Sequence, residues 1–408
     1  NLLVDDEAEG GQSDENTLIS SDEFKIGSTG LDKPIHRDTR FLADGSYIQF
    51  WDSYAEGGHY LDVVAQKFAA DNTPVGGEII LNSTIRLFQK LPKVTLLNDN
   101  ELVLVWESDI GYGDGYDIIG QRFDTDLNAI GDEFIVNTTI ADHQQKAEIA
   151  TLADGGFVVT WQSDNQDGSG YGVYAQIFDG SCAKVGSEFL VNSVTDSEQH
   201  EPSIAALTDG SFVISWQSRY QDGSDYGVYM QQFDAVGNKI GNEIKVNDFT
   251  YTNQRATEMV ALKDGGFAIV WDSYRQDGSS YSVVCEIFDN NCNTVVSEFV
   301  VNSTTYAEQS SPAIDQLADG SLILTWQSSS QAGDSYYGVY AQRIGLDGNF
   351  IGEEFQVNQT TDGRQYYADV KASEDGAFLI SWISEANGKE LFARQYKLNI
   401  SSMGFDNI

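Results

Sequence analysis

Between residues 202 and 247 the chain alternates short apolar runs with polar turns. "PSIAAL" (202–207) is followed by Asp-Gly, and "SFVISWQS" (211–218) then carries apolar side chains on both faces. A polar loop, "RYQDGSD", leads to "YGVYMQQFD" (226–234), and the short turn "AVGNK" leads to "IGNEIKVN" (240–247). Runs of this length bounded by Gly, Asp and Asn predict four β-strands, here called a, b, c and d. Asp-Gly between a and b is a two-residue hairpin signal, because a type I′ turn needs positive φ. A strand apolar on both faces is covered on both sides, as in stacked sheets.

The same pattern recurs along almost the whole chain. The seven Trp residues stand at 51, 106, 161, 216, 271, 326 and 382, so the steps are 55 five times and then 56. An Asp lies seven residues before each Trp, and Gly follows it in every repeat except one, where Asn100 stands. Four-stranded units at this period predict a seven-bladed, all-β propeller of antiparallel blades. Strand d carries a Glu at 78, 133, 188, 243, 298 and 354, and the same phase places Glu23 in a first, isolated d strand. The last repeat ends on strand c, "LFARQYKL" (391–398). Residues 23–28 are therefore predicted to complete the last blade and remove two open sheet edges. The propeller is expected over residues 22–398, with an acidic arm at 1–21 and a tail at 399–408.

Composition narrows the function classes. The 408 residues carry a net charge of −40, which repels free polyanions and argues against nucleic acid as a partner. No apolar run reaches the length of a membrane helix. The chain begins at Asn1 without Met, which suggests a removed leader. Three Cys are too few for a disulfide framework. Cys285 takes a small-residue slot of strand c and is expected to be a buried thiol. Cys182 and Cys292 occupy c–d turns two blades apart, as exposed free thiols or intermolecular links.

The phrase "DGGFVVTWQS…QDGSGYGVYAQIFD…VGSEFLVN" (154–192) resembles tandem repeats of large bacterial secreted and surface proteins, adhesin-like and type I-exported. That resemblance implies an extracellular or cell-surface propeller and brings no catalytic motif. The expected function is a non-enzymatic scaffold, adhesive or self-assembling, with a carbohydrate-binding propeller as the alternative and a carboxylate-based glycosidase as the second alternative. No nucleophile elbow or Cys–His arrangement points to an enzyme. The apolar "NLLV" and "SSMGF" of the two tails suggest a docking arm or packing along the rim.

Strand alternation puts the b–c and d–a loops on one face, and these are the longer and more varied ones, where binding usually resides. Two regular features stand there as candidate ligand contacts. One is Gln89, Gln144, Gln199, Gln254, Gln309 and Gln365, each read as lying three residues before strand a. The other is Tyr171, Tyr226, Tyr281 and Tyr337, which begin strand c and present faces for sugar stacking or rim packing. No catalytic residue is assigned and no cofactor is expected. Asp167, Asp222 and Asp277 of "QDGS" are weak candidates for calcium, since one carboxylate per loop falls short of the 6–8 oxygens that ion takes. Asn ends each internal d strand as a turn residue. Asn82, Asn137, Asn302, Asn358 and Asn399 also open N-x-S/T sequons, acceptors for a glycan in a eukaryotic secretory pathway.

Overall fold

The computed structural model describes residues 18–27, 34, 36–54, 60–84, 87–97, 100–109, 115–331 and 336–399. Both apolar tail segments and the Asp99 turn lie outside the described residues. The fold is a seven-bladed propeller. Six sheets have the order a–b–c–d, and the seventh holds strands Gln365–Ala372, Ala377–Ser384 and Glu390–Leu398. Strands Leu18–Ser20 and Phe24–Ile26 complete it by pairing antiparallel with Glu390–Leu398, with Leu18 opposite Leu398 and Phe24 opposite Ala393. The closing segment thus begins upstream of the boundary expected at residue 22. A break at residues 21–23 divides it in two, and Arg394 fills the break by donating to the Ser21 carbonyl at 2.8 Å.

The core lies between blades. Val103, Val105 and Ile118 of blade 2 pack against Phe157, Val159 and Trp161 of blade 3, and the other interfaces repeat the scheme. All seven Trp are buried there. Strand b needs apolar groups on both faces because it meets the blades before and after its own.

Polar side chains then fasten neighbouring blades at two repeated positions. The d-strand Glu accepts a backbone N–H from the d–a turn of the preceding blade: Ser83 to Glu133 at 2.6 Å, Ser193 to Glu243 at 2.7 Å, Ser303 to Glu354 at 2.7 Å. Glu23 does the same for Gln359 at 2.7 Å, so the strand predicted to close the ring also carries the ring's own fastener. The second position is the residue after each Trp. Leu91, Lys146, Glu201, Ser311 and Tyr367 all adopt φ of 50–55°. Each N–H points to the preceding blade, where Asp52, Glu107, Gln162, Asp272 and Gln327 accept it at 2.8–3.2 Å. The last Trp is followed by Ile383, an apolar side chain. Its neighbouring strand, Arg37–Phe41, pairs without a register shift, so that interface has no bulge N–H to satisfy.

These bulges move the start of strand a. In blade 4 the strand runs Gln199–Ala206, with a register shift between His200 and Ser203. The apolar alternation is legible only beyond the shift, which is why the pattern alone predicted a start at 202. Gln199 is the first residue of the strand and not a loop residue.

Candidate functional site: the axial well

Beyond each bulge, strand a turns side chains toward the propeller axis. The position four residues after the repeated Gln (Pro34 in the first blade) reads Asp38, Lys93, Glu148, Ser203, Glu258, Ala313 and Asp369 around the ring. All but Ser203 line a well of about 390 Å³ that opens on the face of the d–a and b–c loops. The d-strand Glu that fastens neighbouring blades is the same in every blade, and the residue after each Trp is Asp, Glu or Gln, an acceptor, in all but the last; neither position ever carries a cation. The axial position varies in charge from blade to blade, and a site for an asymmetric ligand needs that.

The charges are arranged in pairs. Lys93 Nζ lies 2.5 Å from Glu148 Oε1. Lys371, one layer deeper, lies 3.6 Å from Asp369 Oδ1 and 3.9 Å from Asp38 Oδ1. Two carboxylates of strand a, Asp38 in the well and Asp315 outside its lining, are committed to the fold. Asp38 accepts the N–H groups of Thr39 and Val94 at 2.8 and 2.9 Å, tying blades 1 and 2. Asp315 accepts those of Gln316 and Ala372 at 2.8 and 2.7 Å, tying blades 6 and 7. Among the described residues Glu148, Glu258 and Asp369 accept no backbone N–H, which leaves them available to a ligand.

Depth in the well disfavours charge on these carboxyls. Burial pushes Glu148 up to about 7, against the pull of Lys93 and with Glu258 and Asp38 adding to the rise. Burial raises Glu258 as well, opposed by Lys93 and Lys371. For Lys93 burial works against the charge, but Glu148, Glu258 and Asp38 outweigh it and the ammonium is held above its ordinary value. Glu148 keeps about a fifth of its side chain open to water, so it is surrounded by protein and still reachable. A carboxyl that retains its proton near neutrality beside a second carboxyl can donate to an oxygen while its neighbour accepts.

The residues singled out from sequence stand elsewhere. The six Gln are buried, each at most 1% exposed. Gln144, Gln199, Gln254, Gln309 and Gln365 donate to the carbonyl three residues earlier at 2.9–3.2 Å. Gln89, Gln144 and Gln365 accept the indole N–H of the Trp in their own blade at 2.8–3.0 Å. The amides face into the blades, not the well.

Tyr171, Tyr226 and Tyr337 donate their hydroxyls to Gln145, Glu198 and Glu308, and Tyr281 accepts from Asn253. Asp167, Asp222 and Asp277 each accept the N–H two residues ahead at 2.8–3.1 Å and so close their own turn. The Gln of the same phrase ties the loop to the d-strand Glu, as Gln166 to Glu188 at 2.9 Å. Among the described residues no three His, Cys, Asp or Glu side chains converge as a metal site would.

Asn82, Asn137, Asn302 and Asn358 are buried, accept the strand c N–H at 2.7–2.8 Å and donate Nδ2 to the carbonyl two residues on. A glycan on any of those nitrogens is incompatible with this packing; Asn399 is half-buried at the end of the last strand. Cys285 is buried. Cys292 is buried too, against the expectation of exposure, and its Sγ lies 3.7 Å from Gln232 Oε1, so it offers no intermolecular link; Cys182 is half-buried.

The well was missed because the pattern was read for repetition. Its signal was the opposite: a position in strand a where a regular repeat changes charge.

No family model matches the sequence, and no curated protein matches it. Solved structures do. A protein of unknown function from Dyadobacter fermentans superposes with a TM-score of 0.56 at 10% identity, over 94% of this chain and 99% of that one. An α-L-arabinanase from Penicillium chrysogenum, solved with arabinobiose, gives 0.51 at 14% identity over 75% and 92%. An α-L-arabinofuranosidase from Fusarium graminearum, also with arabinobiose, gives 0.51 at 11% identity over 94% and 99%. At these identities the likeness is one of fold. It nevertheless corrects the expectation of an adhesin-like relative and of a purely adhesive or structural, non-enzymatic scaffold. The arabinanase and the arabinofuranosidase are enzymes acting on carbohydrates. No helix among the described residues is long and apolar enough to cross a membrane.

Proposed function

We propose that this propeller cleaves glycosidic bonds in its axial well, with Glu148 as proton donor and Glu258 as the second carboxyl. The observation that carries the reading is the ring position where five blades place charged side chains around one opening, three of them carboxyls free of backbone duties, of which Glu148 and Glu258 flank Lys93. In the step envisaged, the Glu148 proton passes to the glycosidic oxygen as the C–O bond breaks. Glu258, as carboxylate, takes a proton from the incoming water while that water's oxygen bonds to the anomeric carbon in place of the departing oxygen. Lys93 steadies Glu148 once it is charged. The carbohydrate chemistry named for the enzymes of like fold supports this choice of substrate class, and an extracellular location suits it.

The experiment is release of reducing ends from a panel of plant and bacterial polysaccharides. Wild type should release sugar from at least one, and Glu148→Gln should be slower by about 10²–10⁴-fold, the usual worth of a general acid. Full activity in Glu148→Gln ends the assignment of that residue. Binding without cleavage by the wild type favours the carbohydrate-binding reading, for which the close Lys93–Glu148 pair is the specific observation: it keeps the acid occupied.

A further inference from the structure

The loop face carries more than the well. Six tyrosines among the described residues are more than a third exposed: Tyr60, Tyr220, Tyr251, Tyr306, Tyr336 and Tyr367. All six lie in b–c or d–a loops or at the loop end of strand a, so they share one face, and four of them belong to blades 4–6. The seven Trp are buried, which leaves tyrosine as the aromatic available for a surface platform.

Tyr60, Tyr251 and Tyr367 each have one aromatic neighbour, Phe88, Phe249 and Tyr366, and still stay more than a third exposed. Tyr220 has φ of 63°, in a slot where the preceding repeat has Asn165 and the next two have Arg275 and Ser330. A bulky aromatic is a poor choice for left-handed backbone, whereas Asn suits it. Its ring is 57% exposed, with one face covered by the Arg219 guanidinium at 4.7 Å. Tyr251 and Tyr306 are equivalent residues of successive d–a loops, 54% and 57% exposed, where Ala141, Asp196 and Asp362 stand in other blades. Tyr367 lies both on this arc and on the lining of the well, at φ of 53°. The loop face of blades 4–6 thus carries exposed tyrosines, and strand a of blade 7 adds Tyr367 at the mouth of the well; together these residues form an arc in blade order.

We infer that this arc is an extended binding platform for a neutral polysaccharide chain, which lies across blades 4–6 and enters the well past Tyr367. It rests on the carbohydrate reading of the well and adds the substrate class. A sugar ring presents an apolar C–H face that stacks on an aromatic ring, and an amphipathic tyrosine can do so while remaining wet. A short oligosaccharide filling only the well would leave Tyr220, Tyr251 and Tyr306 in water. The chain charge of −40 repels polyanionic glycans and selects neutral ones.

The test is affinity electrophoresis in gels containing linear arabinan, xylan, mixed-linkage β-glucan or galactomannan. Wild type should be retarded by at least one of them. Tyr220→Ala with Tyr306→Ala should bind that polymer about ten- to a hundredfold more weakly, the worth of two stacking contacts. The corresponding Phe double variant should bind as wild type does, because the ring faces remain; this separates lost stacking from a damaged fold. A failure of the catalytic assignment is read separately, by reducing-end release from a short oligosaccharide that fills only the well and does not reach Tyr220 or Tyr306. Wild type unretarded by all four polymers overturns the platform, as does an Ala double variant retarded equally with wild type.

Discussion

At the residue scale, one exception to the repeat has a measurable consequence. Strand c carries Gln66, Gln121, Gln176, Gln231 and Gln342 at one position, and each amide donates to carbonyls of strand c or d, as Gln176 does to Ile177 and Val185. Arg394 serves the last blade in the same way, reaching the Ser21 and Val357 carbonyls. In blade 5 the residue is Glu286, a carboxyl where every other blade has a donor. It can donate only when protonated, and burial pushes it up to about 7. Blade 5 also shows a register shift next to Ile287 and Phe288 beyond the one its neighbours have, and Thr294 turns its hydroxyl to Glu286 at 2.9 Å. Glu286→Gln should restore the amide and raise the melting temperature. The gain should be larger at about pH 8, where the wild-type carboxyl is ionised, than at about pH 5. An equal or negative change at both would mean that the local register, not protonation, governs this site.

At the element scale, closure depends on two three-residue strands, Leu18–Ser20 and Phe24–Ile26, which are short for independent pairing. Glu23 lies between them and accepts the N–H groups of Gln359 and Thr360, while Lys25 pairs with Glu390 at 2.9 Å. The segment is thus held by side chains as much as by its ladder. Glu23→Ala leaves two backbone donors without their charged acceptor and should cost about 1–3 kcal/mol in urea unfolding. An unchanged midpoint would show that the ladder alone closes the ring.

At the scale of the whole molecule, two sets of carboxyls pull stability in opposite directions with pH. Asp124, Asp179, Asp234 and Asp289 cap their own c–d turns, and hydrogen bonds from Asn or Ser side chains hold them below the ordinary value. Their contribution is present above the unfolded value and is lost as pH falls through the folded one. Glu148 and Glu286 are raised by burial to about 7. Their contribution is full below the unfolded value and is lost as pH rises toward 7. Mutual repulsion within a chain of net charge −40 also grows with pH. The melting temperature should therefore be higher at about pH 5 than at about pH 8, and should fall again once the turn aspartates protonate. A melting temperature that climbs steadily from about pH 5 to pH 8 would contradict this balance.

The architecture was legible in the chain because propeller blades are local. Each hairpin is made by residues close in sequence, so seven Trp at a fixed step, Asp-Gly turns and a d-strand Glu one period ahead of Glu78, at residue 23, suffice for blade number and closure. The site was not legible for the converse reason. Asp38, Lys93, Glu148, Glu258 and Asp369 are 55 or more residues apart, and most of the 63 acidic residues look equivalent in a line of text. The β-bulge ahead of each of four of these positions also hides them, because it breaks the alternation that would have assigned their face. The repeated Gln drew attention by its regularity, yet in a ring of equal blades regularity marks what the scaffold needs: a capped turn, a fastened N–H. Local pattern thus determined the scaffold. Only ring closure around a common axis, which brings strand a of every blade to one opening, decided which carboxyls stand together and how deeply they are buried.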